Sequence, residues 1–181
     1  MRILIVDDEP AMHDSYRRCF APQDNSASDA INDLAAELFD DAPVQACDED
    51  QVRFDAVHCM QGLDAVAAVE QAIAEGDPFA VAFIDVRMPP GIDGKETATR
   101  IRALDPNINL VIVTGFSDFS PIEISKAAGP ADKIFYIAKP FEIAEVVQTA
   151  MALGHRWAAD RELAAAMTKL EEQAVELAAN E

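Results

Sequence analysis

The stretch FAVAFIDVRMPPGIDG, residues 79–94, decides how this sequence is read. Residues 80–84 are an unbroken apolar run, the pattern of a strand buried on both faces of a parallel sheet rather than of a half-exposed hairpin. The run drives into Asp85 and then stops at Pro89, Pro90 and Gly91 before a helix can begin. An acid at the carboxyl end of such a strand lies on the edge where open α/β sheets bind ligands. The same position also reads as a plain helix N-cap, so the weight on Asp85 depends on what else reaches that edge.

Upstream, Val66, Val69, Ala72 and Ile73 recur every three or four residues and predict a helix over residues 63–75 ended by Gly76. Residues 53–60 read as a more polar strand, as expected at a sheet edge, with His58 and Cys59 as ordinary strand residues. Residues 3–6 are a short apolar strand ending in Asp7, Asp8 and Glu9, with Pro10 suited to the first turn of a helix over 11–20. The macrodipole of that helix offers one reason for the three acids. Downstream, helices are predicted over 95–104 and 122–128, strands over 110–113 and 134–137, and a continuous helical pattern from Glu142 onward. Five strands alternating with helices at this spacing imply right-handed crossovers and a parallel sheet covered on both faces.

Composition narrows the class. With 33 acidic against 14 basic residues among 181, the net charge of −19 argues against nucleic acid or an anionic membrane as a direct partner. Three cysteines without C-x-x-C spacing support neither a disulfide framework nor a zinc site. No apolar run approaches the ~20 residues of a membrane helix, and no signal-peptide pattern opens the chain. The expectation is a soluble, cytoplasmic protein. Between Cys19 and Val52 nine acids occur and no lysine or arginine. This segment, residues 22–52, reads as an insertion with one amphipathic helix at 28–39, either a solvated excursion or a partner site.

The predicted topology gathers the polar strand ends Asp7, Asp8, Asp85, Thr114 and Lys139 along one edge. Three carboxylates beside one ammonium are tolerable when a divalent cation completes the balance, and an oxygen-only donor set selects a hard ion such as Mg²⁺.

The motifs VDD (residues 6–8), FIDVRMPPGIDG (83–94), VTG (113–115) and AKPF (138–141), in that order, resemble the receiver domain of two-component response regulators. The resemblance covers residues 1–154 and implies a flavodoxin-like, doubly wound five-stranded parallel sheet in the order 2-1-3-4-5. It makes Asp85 the phosphoacceptor, Asp8 a direct Mg²⁺ ligand, Asp7 a ligand through water and the Arg87 carbonyl a further ligand. By the same resemblance Thr114 binds a phosphoryl oxygen, Lys139 pairs with the phosphate, Tyr136 changes rotamer on activation, and the Lys139–Pro140 bond is cis. The implied function is a regulatory switch, not an enzyme, phosphorylated by a histidine kinase or phosphotransfer protein. Two features depart from the family pattern: the doubled Pro89-Pro90, and the acidic insertion.

Residues 155–181 lie beyond that domain. Leu163, Met167, Leu170, Ala174 and Leu177 are spaced by four, three, four and three, a two-heptad seam that predicts a homodimeric coiled coil, or else a lone surface helix. The absence of a stop signal before Glu181 suggests an output module further on, of a kind the sequence does not specify: a diguanylate cyclase, a cyclic-dinucleotide phosphodiesterase or a histidine kinase. Two rival readings are a haloacid-dehalogenase-type Mg²⁺ phosphatase, which wants an acid where Arg87 stands, and an unphosphorylated pseudo-receiver scaffold, which would lack part of the acid and lysine set.

Overall fold

The computed structural model describes residues 1–21, 53–115 and 121–179; the acidic insertion with its predicted helix at 28–39 lies outside the described residues. Five strands, β1 (Arg2–Val6), β2 (Asp55–Cys59), β3 (Val81–Asp85), β4 (Asn109–Thr114) and β5 (Ile134–Ala138), alternate with five α-helices among the described residues. These are α1 (Pro10–Phe20), α2 (Gly62–Ala74), α3 (Gly94–Leu104), α4 (Pro121–Ala128) and α5 (Ile143–Ala179), with a 3₁₀ turn at Ala131–Lys133. The strands are all parallel in the order β2-β1-β3-β4-β5. This is the doubly wound arrangement expected above.

Strand alternation divides the core in two. Leu4, Val6, Ala82, Ile84, Leu110 and Ile112 face α2, α3 and α4, which contribute Ala65, Val69, Ala98, Ile101, Ile124 and Ala128. Ile3, Ile5, Val81, Phe83, Val111 and Val113 face α1 and α5, which contribute Tyr16, Cys19, Val146, Ala150 and Leu153. Burial of each large aliphatic or aromatic side chain is worth about 1.5–3 kcal/mol, so the three central strands supply most of the driving force. β2, predicted over 53–60, is shorter at Asp55–Cys59; just before it, the Arg53 carbonyl accepts a hydrogen bond from the amino terminus. Gly76, at φ 75°, turns the chain out of α2.

Arg102, on α3, is buried, and its guanidinium donates to the carbonyls of Ala128, Pro106, Ile108 and Lys133 at 2.6–3.2 Å. One side chain thereby ties the end of α3 and the start of β4 to the far end of α4 and the turn before β5. At its other end the fold is open. Past Trp157, α5 leaves the body, and Leu163, Met167 and Leu170 are 62%, 55% and 64% exposed. At its root, exposed ion pairs join Lys133 to Asp160 and Arg156 to Asp132, each worth at most about 1 kcal/mol. No helix among the described residues is long and apolar enough to cross a membrane.

Arg102→Met leaves several buried carbonyls without a donor, each costing about 1–3 kcal/mol. Urea unfolding should show a loss of about 3 kcal/mol or more. Arg102→Lys should recover less than half, since one ammonium cannot span the planar fork's partners.

Candidate functional site

The parallel register puts the ends of β1, β3, β4 and β5 in one row: Val6 lies opposite Ile84, Asp85 opposite Val113, and Thr114 opposite Ala138. The residues that follow inherit that alignment. Asp7, 1% exposed, accepts the Glu9 N–H at Oδ1 (2.9 Å) and the Lys139 ammonium at Oδ2 (2.7 Å). Asp85 accepts the Val86 N–H at Oδ1 (2.9 Å), and the same oxygen lies 3.2 Å from Lys139 Nζ. Carboxylate oxygens of Asp7, Asp8 and Asp85 all lie within 4.8 Å of one another.

Three carboxylates therefore share one ammonium. Burial raises the pKa of Asp85; Lys139 opposes the rise and Asp7 adds to it. Burial alone would lower the pKa of Lys139, but the hydrogen bond and charge of Asp7, and the charge of Asp85, outweigh it and raise the pKa. The lysine is thus firmly cationic while an ionised Asp85 stays under-compensated. The donor set is oxygen only and carries excess negative charge, which suits a hard divalent cation such as Mg²⁺ and not a soft metal.

The N-cap reading of Asp85 falls. α3 is capped by Asp93, whose carboxylate accepts the Glu96 N–H at 2.8 Å, so Asp85 is free of capping duty. The N-cap of α1 is Glu9, which makes no side-chain cap bond. Asp7 is committed to Lys139 instead.

Of the remaining sequence candidates, Thr114 is half-buried and donates to the Gly115 carbonyl at 2.9 Å. Tyr136 is partly exposed and its hydroxyl lies 3.0 Å from Ser125 Oγ on α4. Arg87 is an exposed residue of the loop after β3. The Lys139–Pro140 bond is cis, as the resemblance implied, and so is Pro89–Pro90.

Three supporting groups were not recognised from the sequence. Gln61 clasps the Pro-Pro-Gly turn, donating to the Pro89 carbonyl (3.3 Å) and accepting the Gly91 N–H (3.2 Å). Gly94 brings α3 so close that an added Cβ would fall 2.2 Å from the Asp85 carbonyl oxygen; its place in the IDG motif was the only signal. His13 and His58 are hydrogen bonded to each other beneath Asp7, which corrects the reading of His58 as an ordinary strand residue. The helical period that aligns His13 with Tyr16 and Phe20 could have flagged the first of the pair.

The family model of the response regulator receiver domain matches residues 36–151. The chain belongs to that family of two-component signalling, which is generally regulatory rather than catalytic. β1, with Asp7 and Asp8, lies outside the matched stretch and is joined to the site by the sheet. The chain is 30% identical over 93 residues to sporulation initiation phosphotransferase F of Bacillus subtilis, covering 51% of this chain and 65% of that protein. It is 33% identical over 90 residues to the C4-dicarboxylate transport transcriptional regulatory protein DctD of Rhizobium meliloti, covering 49% and 19%. The chain thus spans less than two thirds of either relative. Among solved structures, a CheY-like receiver domain from Methanospirillum hungatei superposes with a TM-score of 0.59 at 19% identity, over 88% of this chain and 97% of that one. A structure described as adenylate cyclase from Rhodopirellula baltica superposes at 0.60 and 21%, over 94% and 96%. At such identities the shared feature is the fold.

A carboxyl whose pKa is raised on folding costs stability when ionised, and that cost shrinks as pH falls below the folded-state value and is gone below the unfolded-state one. Without divalent cations, Asp85→Asn should therefore unfold at higher urea than the parent at pH 7. The gap should close as pH is lowered through the Asp85 pKa. A variant less stable than the parent at pH 7 would contradict this electrostatic picture.

Proposed function

We propose that the protein is a phosphorylation-dependent switch whose phosphoacceptor is Asp85. The observation that carries this reading is the Lys139 ammonium held between Asp7 and Asp85 inside a three-carboxylate cluster. Both described contacts to the Asp85 carboxylate fall on Oδ1, which leaves Oδ2 for attack on the phosphorus of a phosphohistidine or a small acyl phosphate. The new P–O bond makes an acyl phosphate on Asp85. The breaking P–N or P–O bond leaves its electron pair on imidazole, which takes a proton, or on the departing carboxylate.

Asp8, Asp85 and the Arg87 carbonyl would hold Mg²⁺ directly and Asp7 through water, and the bound cation would supply charge neutralisation for the transferring group. Lys139 then turns its charge to a phosphoryl oxygen. Thr114 gives up its bond to the Gly115 carbonyl for another phosphoryl oxygen, and Tyr136 leaves Ser125 for a new rotamer. Together these contacts bias a two-state surface. A cleft of about 610 Å³ between α1 and the β5–α5 loop has Lys139 on its wall and Met12, Phe141 and Ile143 in its lining. It offers a kinase or phosphotransfer protein an apolar seat beside the site. Residues 1–154 form the switch and 155–181 a helical connector to an output module, in the cytoplasm.

With Mg²⁺ and acetyl phosphate the protein should acquire a hydroxylamine-labile phosphate, and Asp85→Asn should reduce labelling to background. Undiminished labelling of Asp85→Asn would refute the assignment. Lys139→Ala should bind Mg²⁺ yet lose the conformational response to beryllofluoride, read in amide spectra.

The exposed seam of Leu163, Met167 and Leu170 supports self-association as a parallel dimer, because a monomer seldom leaves such a stripe in water. Two heptads are too few to hold a dimer alone, so the switch itself must contribute. Truncation after Trp157 should weaken self-association about tenfold or more, ~1.4 kcal/mol, in sedimentation, without changing phosphorylation. Equal dissociation constants would leave α5 an ordinary surface helix.

A further inference from the structure

His13 is 2% exposed on the first turns of α1, and its Nε2 lies 2.8 Å from the Asp7 carbonyl oxygen. Its Nδ1 lies 2.8 Å from Nδ1 of His58 on β2, the rings meeting edge to face at 5.0 Å. A carbonyl only accepts, so the proton of this first bond belongs to His13 Nε2. With both rings neutral, His13 Nδ1 is then bare and must accept, and His58 Nδ1 must donate. Burial lowers the His58 pKa. For two neutral rings a single proton arrangement satisfies both contacts.

The carbonyl so gripped belongs to the Asp7–Asp8 peptide. The Asp7 N–H donates to Cys59 O at 3.2 Å, and its two carboxylate oxygens are taken by Glu9 N–H and Lys139. Its carbonyl is the one remaining polar atom, and fixing it fixes the peptide plane from which Asp8 projects. We propose that His13 is a positioning residue: its Nε2–H, set by donation from His58, holds the Asp7–Asp8 peptide so that the Asp8 carboxylate points into the cation site. This inference rests on the reading of the three acids as a divalent-cation phosphoacceptor site. It adds two residues on different elements that touch neither metal nor phosphate, and partners of this kind typically matter by about 10–100-fold in affinity.

The test has two arms. In metal-free protein, long-range ¹H–¹⁵N spectra of the histidine rings should show the proton on His13 Nε2 and on His58 Nδ1. A His13 ring without a proton on Nε2 would overturn the proposal, and this arm needs no variant to fold. In the second arm Mg²⁺ affinity is measured by titration. His13→Leu, which fills the space without a donor, should bind about tenfold more weakly or worse, whereas His13→Gln, whose amide nitrogen can replace Nε2, should stay near the parent. His58→Asn should likewise bind better than His58→Leu. Parental affinity in His13→Leu, or equal losses in His13→Gln and His13→Leu, would show that the ring only fills space and overturn the assignment. Failure of the parent itself to bind Mg²⁺ would instead bring down the reading of the site, a result the tautomer spectra do not share.

Discussion

The contact on which the rest of this structure depends is the ammonium of Lys139 lodged between Asp7 and Asp85. Without it, three carboxylates at the ends of buried strands would repel one another uncompensated. The lysine comes from the end of β5, an edge strand, and its partners from β1 and β3 at the centre, so the pair spans the sheet. Its strength is limited, since Asp85 still resists ionisation. That remaining imbalance suits a hard divalent cation, which a fully neutralised cluster would have no charge to attract.

Much of this was legible because it follows from period and position. Continuous apolar runs of this length read as buried parallel strands, and a parallel sheet necessarily brings its carboxyl ends together, so the sequence alone puts Asp7, Asp8, Asp85, Thr114 and Lys139 along one edge. What stayed hidden was the second layer of contacts. His13, Gln61 and Arg102 act through hydrogen bonds to backbone carbonyls, and a backbone carbonyl has no letter in the sequence. Arg102 is buried and ties together segments that approach only after folding. His58 sat in a strand whose polarity was explained by the sheet edge alone.

β1 and α1 precede residues 22–52 in sequence yet share one sheet and one core with the elements that follow. β1 is held by ladders to β2 and β3 and by four residues with essentially no exposure, Ile3 to Val6. The family match begins at residue 36, so β1 rejoins the domain through the sheet and not through contiguity in sequence.

α5 runs unbroken for 37 residues, from packed side chains at Val146 and Ala150 to exposed ones from residue 158 to residue 175. At about 1.5 Å per residue the free part extends roughly 30 Å from the body. Such a rod is a lever arm. A tilt of about 5° at its seat, no more than a small repacking against β3 and β4, would sweep its tip by roughly 3 Å. Displacements too small to alter the core become, at the far end of the rod, as large as the spacing between neighbouring side-chain contacts.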